Sequence, residues 1–349
     1  MIESSLNAVF SQLSELGKSI EPMMLKFLLK DVNSEFKDLI SWQTDTGGKR
    51  VRPALTIIFA QAFGAQKNDT KVLAAASGIE LIHTYSLILD DIIDRGDLRR
   101  GKPTTRAKYG DEFAILSAII HREAVYEAAK ATGTYIIPSI AIYSETIRRL
   151  TEGERLDVLF EQKQERTHEY FQSHRYTDVS LNDYRKMIVG KTASLIAAAC
   201  KLGALVAGAS VEQQACAEKY GWSTGVAFQL ADDYLDVFAK SDQFGKSVYK
   251  DIIEQKLGNF VVIQALKSLN QKEADLLKEY LVDTQLSDED RVKKCLPLIE
   301  KSNAQQEVMK EANKWVKKAQ MVLNTIEFEN EEFRIILDKV AEFIIKRAY

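Results

Sequence analysis

Residues 80–106 read ELIHTYSLILDDIIDRGDLRRGKPTTR, and this stretch decides how the rest of the chain is interpreted. An apolar helical run leads directly into Asp90, Asp91 and Asp94, and two adjacent arginines follow soon after. On a helix, Asp90 and Asp94 lie one turn apart on the same face, with Asp91 at their flank. Several carboxylate oxygens in one place suit a hard divalent cation such as Mg²⁺. A solvated acidic helix end is the simpler alternative, but the apolar run before it predicts a buried helix.

The same acidic spacing recurs later in the chain, where residues 232–236 read DDYLD. The run Phe228-Gln229-Leu230-Ala231 leads into this second cluster, and lysines follow at Lys246 and Lys256. Two acidic clusters, each followed by cations, are hard to explain as solvated helix faces. Together they would hold metal ions between them, and the metals with the basic residues would bind a diphosphate.

A basic turn precedes the first cluster. Residues 45–48 form a glycine-containing turn, and Lys49, Arg50, Arg52 and Pro53 then open a predicted helix. Proline suits the first turn of a helix, but three cations oppose the helix dipole there. A bound external anion would remove this conflict, since glycine loops at helix N-termini bind phosphates. Taken alone, the motif is explained equally well as a basic surface turn.

Lys191 lies within the most apolar predicted helix, residues 187–209, beside Gly190 and Thr192. A lysine in such a helix must find a partner or lose its charge. It therefore forms a structural salt bridge, reaches the surface along its stem, or binds an anion together with Thr192. Because Lys191 and Lys201 interrupt the apolar run, we expect a buried core helix here and no transmembrane segment.

Composition limits the class of protein. The chain has 349 residues, 46% of them hydrophobic, with 5 prolines and 17 glycines, and it contains no flexible linker, so we expect one domain over residues 1–349. A net charge of -3 gives no general attraction to nucleic acid or anionic membrane. Three widely spaced cysteines and an N-terminus unlike a signal peptide favour the cytoplasm. Apolar residues recur at helical spacing and never alternate, which predicts an all-α chain without a sheet.

Together, these separate motifs resemble the trans-isoprenyl diphosphate synthases, the polyprenyl synthetase family of farnesyl and geranylgeranyl diphosphate synthases. The resemblance covers roughly residues 47–256. The family's Gly-Lys-Arg-x-Arg-Pro pattern is residues 48–53, its aspartate motifs are residues 90–94 and 228–236, and its Lys-Thr pair is Lys191-Thr192. The resemblance implies the all-α isoprenoid synthase fold, a large helical bundle around a central cavity with the aspartate clusters facing each other at its mouth. It also implies a homodimer.

The resemblance assigns roles to the motifs. Three Mg²⁺ ions would bind the allylic diphosphate through the aspartates of both clusters, which are Asp90, Asp91, Asp94, Asp232, Asp233 and Asp236. The same site would be completed by Arg99, Lys191 and Thr192, which we expect to be catalytic, and by Gln229, Lys246 and Lys256. Isopentenyl diphosphate would be held by Lys49, Arg52, His83 and Arg100.

The implied reaction follows from charge. Metals and cations stabilise the departing diphosphate, so the allylic C–O bond ionises and the isopentenyl double bond attacks the carbocation. Apolar helices keep water from the cation.

Tyr85 lies five residues before Asp90, about 7.5 Å along the helix at ~1.5 Å per residue, where its ring could close the cavity floor. Core packing is its alternative role. A large residue at this position and no insertion in the first aspartate motif resemble the short-chain arrangement of archaeal-type geranylgeranyl synthases. From this resemblance we predict a C20 product, geranylgeranyl diphosphate, with C15 the nearest alternative and C25 another.

The chain departs from the family pattern at a few positions. Leu89 and Arg106 stand where histidine is frequent, Glu154 replaces a frequent glutamine, and residues 117–119 replace a common Gly-Asp. None of these changes removes a metal ligand or a diphosphate contact.

Three other interpretations compete with this one. A class I terpene cyclase would carry a different second metal motif. A non-catalytic subunit of a heteromeric synthase would have lost aspartates or basic contacts. A purely structural helical protein would not need Lys191 in an apolar helix beside two acidic clusters.

Overall fold

The computed structural model describes residues 11, 13–163, 166–239 and 249–346, which form two compact units. Unit 1 takes in the described residues of 1–150, 194–222 and 318–343, and unit 2 those of 151–193, 223–317 and 344–349. The helices are α1 Glu21–Leu28, α2 Lys37–Asp45, α3 Val51–Ala62, α4 Thr70–Ile93, α5 Thr105–Tyr109, α6 Asp111–Lys130, α7 Ile136–Phe160, α8 Glu169–His174, α9 Leu181–Ile188, α10 Ser194–Val206, α11 Val211–Phe238, α12 Lys250–Ile253, α13 Phe260–Ser268, α14 Gln271–Val282, α15 Asp288–Lys301, α16 Ala304–Leu323 and α17 Glu331–Lys346. The predicted all-α class is confirmed.

Helix α4 forms the centre of unit 1 and carries the first acidic cluster at its end. It begins where the Asp69 carboxylate accepts a hydrogen bond from the backbone N–H of Lys71 at 2.9 Å. Small residues then let α7 approach closely. The Tyr143 hydroxyl donates to the Ala75 carbonyl at 2.9 Å, and a Cβ at Gly78 would come within 2.3 Å of that hydroxyl. The close packing of α4 against α7 fixes the position of the acidic side chains at the end of α4.

The expectation that the chain contains no sheet is wrong at one place in unit 1. Leu98–Arg99 (β1) pairs in antiparallel fashion with Lys102–Pro103 (β2). The turn residues Arg100 and Gly101 have φ values of 54° and 76°, and positive φ at both positions is what a two-residue type I′ hairpin turn requires. Strands of two residues are too short to show alternating hydrophobicity, so the sequence pattern could not reveal them.

In unit 2, Lys191 lies in a π-helical turn, Val189–Ala193, which follows α9. Two glycines fit against this turn. A Cβ at Gly153 would come within 2.1 Å of the Lys191 backbone nitrogen, and one at Gly225 within 2.5 Å of the Ala193 Cα. Single π turns within helices are frequent at functional sites. The predicted core helix is therefore confirmed as buried but is interrupted at Lys191.

Two helical stretches, Thr70–Ile93 and Leu181–Val206, are long and apolar enough to cross a membrane. In their most apolar windows, 72% and 83% of the residues are buried within the protein, and buried core helices pass the same test of length and composition. The core helix predicted at residues 187–209 covers only part of the second stretch, and the first stretch was not predicted to resemble a membrane span. All three cysteines are free thiols, and Cys200 and Cys295 are buried.

Two helices of unit 2 begin at serine N-caps. The Ser180 and Ser287 hydroxyls each accept a hydrogen bond at 3.1 Å from the backbone N–H three residues later, which satisfies a donor in the first turn of α9 and of α15.

Candidate active site

The first acidic cluster, at the end of α4, is closed by Arg99 from β1. Arg99 Nε donates to both oxygens of Asp91 at 3.0 Å, and Nη2 donates to Asp91 Oδ1 at 2.7 Å and to Asp90 Oδ2 at 2.9 Å. Asp91 is buried, whereas Asp90 and Asp94 are half-buried. Although burial opposes the shift, the hydrogen bonds and charges of Asp91 and Asp90 raise the pKa of Arg99. Arg99 is therefore a permanent cation beside these carboxylates.

Short-range bonds fix the turn that brings Arg99 to the carboxylates. The Gly96 N–H donates to the Asp91 carbonyl at 2.8 Å, and the Thr104 N–H donates to the Asp97 carbonyl at 3.0 Å. The Thr104 hydroxyl then donates to the Gly96 carbonyl at 2.7 Å. The hairpin is thus tied to the end of α4, and the aspartates and Arg99 form one local unit.

A basic pocket lies on the same part of unit 1. Arg52 Nη1 lies 3.2 Å from His83 Nε2, and because a guanidinium can only donate, the imidazole is neutral at that nitrogen. Burial and the charges of Arg52 and Arg100 lower the pKa of His83 well below its usual value. The Arg100 guanidinium lies against Gly48, where a Cβ would come within 2.6 Å of Nη1. Lys49 is exposed.

Arg99 and Arg100 connect the acidic cluster with the basic pocket. The charges of both arginines act on His83, and the charge of Asp91 acts on Arg100. Burial lowers the pKa of Arg100 despite the nearby carboxylates. The hairpin therefore places carboxylates of the kind that bind metal ions directly beside basic groups of the kind that bind anions.

Tyr85 lies in α4, five residues before Asp90, and only 8% of its surface is exposed. Its neighbour Ser86 is half-buried, and the Ser86 hydroxyl donates to the His83 carbonyl at 2.8 Å. Burial of Tyr85 agrees with both roles considered from the sequence, a core residue and the end of a cavity.

In unit 2, two of the predicted basic residues share one carboxylate. Lys191 Nζ donates to Asp157 Oδ2 at 2.6 Å, and Lys256 Nζ donates to the same oxygen at 3.0 Å. Lys191 also lies 2.8 Å from Glu154, and Lys256 lies 3.2 Å from Glu254. Although burial opposes the shift, the two lysines hold the pKa of Asp157 well below its usual range. The protein thus holds both ammonium groups close together on one carboxylate.

A chain of hydrogen bonds leads from the Lys-Thr pair to the second acidic cluster. The Thr192 hydroxyl donates to Gln229 Oε1 at 2.6 Å, and Gln229 Nε2 donates to Asp233 Oδ1 at 2.9 Å. Asp233 Oδ2 accepts from the Tyr184 hydroxyl and from the Phe260 N–H, both at 2.8 Å. Asp233 is therefore buried and bound by three protein donors.

Asp236 also has protein partners. Its carboxylate accepts from the backbone N–H groups of Lys250 at 2.9 Å and Asp251 at 3.2 Å, which ties the start of α12 to the end of α11. Burial and the charge of Asp251 raise the pKa of Asp233 to about 8, and the same two causes raise the pKa of Asp236. A bound cation would relieve this crowding of negative charge. Asp232 is half-buried on the same helix.

The side chains fit Mg²⁺ by their chemistry. Within the described ranges, no three His, Cys, Asp or Glu side chains are gathered as a ready metal-binding group. In the first cluster, the oxygens of Asp90 and Asp91 point to the Arg99 guanidinium, which stands where a cation would be attracted. Carboxylate oxygens on adjacent helical turns are the donors that Mg²⁺ prefers.

Most of the predicted site residues have contacts with one another. Asp90, Asp91 and Arg99 form one cluster, Arg52 and His83 another, and Thr192, Gln229 and Asp233 a third. Lys246 lies outside the described residues. Several residues that bind the predicted ones were not predicted, among them Asp157, Tyr184 and Glu254. Of these, only Asp157 could have been found from the sequence, because it lies one helical turn after Glu154 and so shares a helix face with it.

The chain is similar to known proteins along most of its length. The family model described as polyprenyl synthetase matches residues 33–299. A short chain isoprenyl diphosphate synthase of Methanothermobacter thermautotrophicus is 34% identical and covers 87% of each chain. A geranylgeranyl diphosphate synthase of Sulfolobus acidocaldarius is 30% identical over 96% of this chain and 97% of the relative. The crystal structure of a geranylgeranyl pyrophosphate synthetase from Pyrococcus horikoshii superposes with a TM-score of 0.84 at 26% identity, covering 98% of this chain and 99% of that one. The chain belongs to the polyprenyl synthetase family.

Proposed function

We propose that this protein is a Mg²⁺-dependent trans-prenyltransferase. It condenses isopentenyl diphosphate with allylic diphosphates to a short-chain all-trans prenyl diphosphate, with geranylgeranyl diphosphate (C20) as the main product. The observation that carries the proposal is the β1–β2 hairpin of unit 1, which places Arg99 on two aspartates and Arg100 beside a basic pocket. A prenyltransferase needs both surfaces, one for metal ions and one for a diphosphate.

The aspartates of both clusters are proposed to bind Mg²⁺ for the allylic diphosphate. When bound, the metal spreads the negative charge of the leaving diphosphate. Arg99 binds the same diphosphate while it remains fixed to Asp91. In the second cluster, Asp232, Asp233 and Asp236 are all proposed to contribute, and the protein donors to Asp233 and Asp236 hold those two carboxylates in place.

The basic residues of unit 2 are proposed to stabilise the charge that develops on the allylic diphosphate. Lys191, Thr192, Gln229 and Lys256 are proposed to bind the allylic diphosphate, and Lys246 is assigned with them. As the allylic C–O bond breaks, negative charge grows on the diphosphate oxygens, and ammonium groups already in place need little reorganisation. Asp157 holds Lys191 and Lys256 in place before the substrate binds.

The basic pocket of unit 1 is proposed to hold isopentenyl diphosphate through Lys49, Arg52, His83 and Arg100. The neutral His83 accepts from Arg52 and so orients its guanidinium towards the substrate. The double bond of isopentenyl diphosphate attacks the allylic carbocation, a new C–C bond forms, and one proton leaves the former isopentenyl unit. The released diphosphate takes that proton.

Product length is proposed to depend on Tyr85. The ring lies in α4 about one and a half turns before Asp90, on the path of a prenyl tail that runs away from the metals along this helix. Its burial supports a closed end at that depth. Farnesyl (C15) and C25 diphosphates remain the alternative products.

We also propose a homodimer in the cytoplasm. Five large apolar side chains on α6 are more than two-fifths exposed, and an apolar surface of this kind favours contact with a second copy. These residues are Phe113, Ile115, Leu116, Ile119 and Tyr126. A subunit of a heteromeric synthase is the alternative, and activity of the purified chain alone would exclude it.

The function is tested by incubating the purified protein with labelled isopentenyl diphosphate, each allylic primer and Mg²⁺. We expect labelled prenyl diphosphates with each primer, and none when a chelator removes the metal. Cyclic hydrocarbon products would instead indicate a terpene cyclase. Failure of every primer in the presence of Mg²⁺ would contradict the proposal.

A further inference from the structure

Arg50 is a buried arginine in the middle of the basic turn, and the roles assigned above leave it out. Only 6% of its surface is exposed, although its neighbour Lys49 is exposed. It precedes α3 in the left-handed conformation, with φ 49° and ψ 36°. A residue with a Cβ is strained in this conformation and persists there only when its surroundings hold it. The contacts that hold Arg50 therefore control the direction in which the turn enters α3.

Three partners surround the Arg50 guanidinium. Nη1 donates to Glu80 Oε1 at 2.6 Å, Nη2 donates to the Thr44 carbonyl at 2.7 Å, and Nε lies 3.5 Å from Glu21. Glu80 is only 3% exposed, so the pair with Arg50 is a buried salt bridge. The planar guanidinium reaches the carboxylate and the carbonyl from two separate nitrogens, whereas an ammonium group has a single nitrogen.

The backbone of Arg50 is also enclosed. A Cβ at Gly17 would come within 2.3 Å of the Arg50 carbonyl oxygen and 2.5 Å of its Cβ. The same carbonyl accepts from the Ala54 N–H at 3.1 Å in the first turn of α3. Both the side chain and the main chain of Arg50 are thus fixed by their neighbours.

The salt bridge joins the two elements that carry the basic pocket. Arg50 lies two residues before Arg52, and Glu80 lies three residues before His83, on the same face of α4. Arg52 and His83 are themselves 3.2 Å apart. The charge of Glu80 also acts on Arg100, the third member of the pocket. A shift of the Arg50–Glu80 contact would therefore move Arg52 relative to His83.

We infer that Arg50 and Glu80 are a positioning pair for the isopentenyl diphosphate pocket. Arg50 does not bind the diphosphate, since its side chain is buried and directed at Glu80 and the Thr44 carbonyl. It holds the turn so that Lys49 and Arg52 project towards His83 and Arg100, and Glu80 offsets one positive charge among these cations. This inference rests on the proposed function, because it takes the pocket to be the site of isopentenyl diphosphate.

Three variants test the pair by different physical routes. Arg50→Lys keeps the positive charge but loses the planar guanidinium with its separate donor nitrogens. Glu80→Gln keeps the shape of the side chain but loses its charge. Gly17→Ala displaces the backbone of Arg50 without changing any charge. Each is expected to raise the KM for isopentenyl diphosphate by about tenfold or more, because small misplacements of binding groups are costly. The KM for the allylic primer and kcat at saturating substrate should stay within about twofold. Calorimetric titration of isopentenyl diphosphate should show the same loss of affinity.

Two controls separate the possible outcomes. Tyr143→Phe removes a buried hydrogen bond to α4 away from the pocket, so it should lower Tm and leave both KM values unchanged. Arg52→Ala removes a proposed direct contact. If Arg52→Ala raises the KM for isopentenyl diphosphate while all three test variants that fold behave like Tyr143→Phe, Arg50 is merely structural and the inference is wrong. If Arg52→Ala also has no effect on that KM, the pocket assignment in the proposed function fails instead. Should Arg50→Lys and Glu80→Gln not fold, Gly17→Ala alone decides between these outcomes.

Discussion

The carboxylates of the two acidic clusters differ in how firmly protein donors hold them. Asp233 is buried and accepts three hydrogen bonds, one of them from a backbone N–H. Asp90 is half-buried and accepts a hydrogen bond from the Arg99 side chain. Asp233 is therefore the more deeply buried of the two, and a backbone donor helps to fix its position.

Removal of a metal-binding carboxylate should stop catalysis and leave the fold intact. Asp90→Ala and Asp232→Ala are each expected to lower kcat by about a thousandfold, since stabilisation of the leaving group is lost. Steady-state turnover at saturating Mg²⁺ and circular dichroism would check this. Asp97→Ala is the matched control, because Asp97 is exposed and forms only a surface ion pair with Arg106. Near-normal turnover in either test variant would contradict the metal assignment.

The two diphosphate sites should respond separately to mutation. Arg52→Ala is expected to raise mainly the KM for isopentenyl diphosphate, as loss of ground-state binding does. Lys191→Ala should raise the KM for the allylic primer and lower kcat, because Lys191 also stabilises the departing diphosphate. Initial rates with each substrate varied in turn would measure both effects. Identical substrate profiles for the two variants would show that the residues are assigned wrongly.

His121 makes the stability of the protein depend on pH. It is fully buried, Nδ1 donates to the Ser117 carbonyl at 2.9 Å, and burial lowers the pKa of His121 from 6.5 to about 4. As the pH falls from 6.5 to 4, the unfolded chain takes up a proton that the folded protein does not. The free energy of unfolding should therefore fall by up to roughly 3 kcal/mol in this window.

The variant His121→Asn keeps a donor near the Nδ1 position and has no group that titrates in this window. Chemical denaturation of both proteins at several pH values should show a weaker loss of stability in the variant between pH 6.5 and 4. An equal loss in both would mean that His121 is not responsible.

Long helices could be predicted from the sequence, but irregular elements could not. Helix α6, Asp111–Lys130, extends over several turns, and a helix of this length leaves a pattern that can be seen in the sequence. The π turn at Val189–Ala193 depends on the close approach of Gly153 and Gly225, which lie far away in the sequence. The carboxylate that joins Lys191 and Lys256 lies 34 and 99 positions from them, so no local pattern could indicate it.

The contact of α7 with the two lysines predicts the effect of Asp157→Asn. This change removes a buried negative charge and leaves two ammonium groups close together, so the free energy of unfolding should fall by about 3 kcal/mol. The KM for the allylic primer should rise by about tenfold, with the KM for isopentenyl diphosphate unchanged. Denaturation curves and initial rates would measure these effects.

Glu152→Gln on the same helix is the control for this variant, because Glu152 forms only an exposed ion pair with Arg155. If Asp157→Asn matched this control in both stability and kinetics, the shared carboxylate would have no role in holding the lysines.

At the scale of the whole chain, the separate sequence motifs predicted the protein family, whereas the amino-acid composition did not. The charge and the apolar content excluded some classes of partner but indicated no reaction. The two aspartate motifs, the basic turn and the Lys-Thr pair indicated the family, and the family model over residues 33–299 confirms it. The single domain over residues 1–349 and the homodimer stay predictions. Sedimentation of the purified protein would measure the number of copies.

Chromatography of the products made by the wild type and by Tyr85→Ala, from labelled isopentenyl diphosphate with Mg²⁺ and an allylic primer, tests the proposed reaction and its C20 product most directly. Ser86→Ala is the control, because it changes the neighbouring side chain and loses only a hydrogen bond to the backbone of α4. We predict C20 prenyl diphosphate from the wild type and from Ser86→Ala, and products of C25 and longer from Tyr85→Ala, because loss of the ring lengthens the space for the tail. A wild type that forms no prenyl diphosphate, or an active Tyr85→Ala variant whose product length is unchanged, would contradict the account.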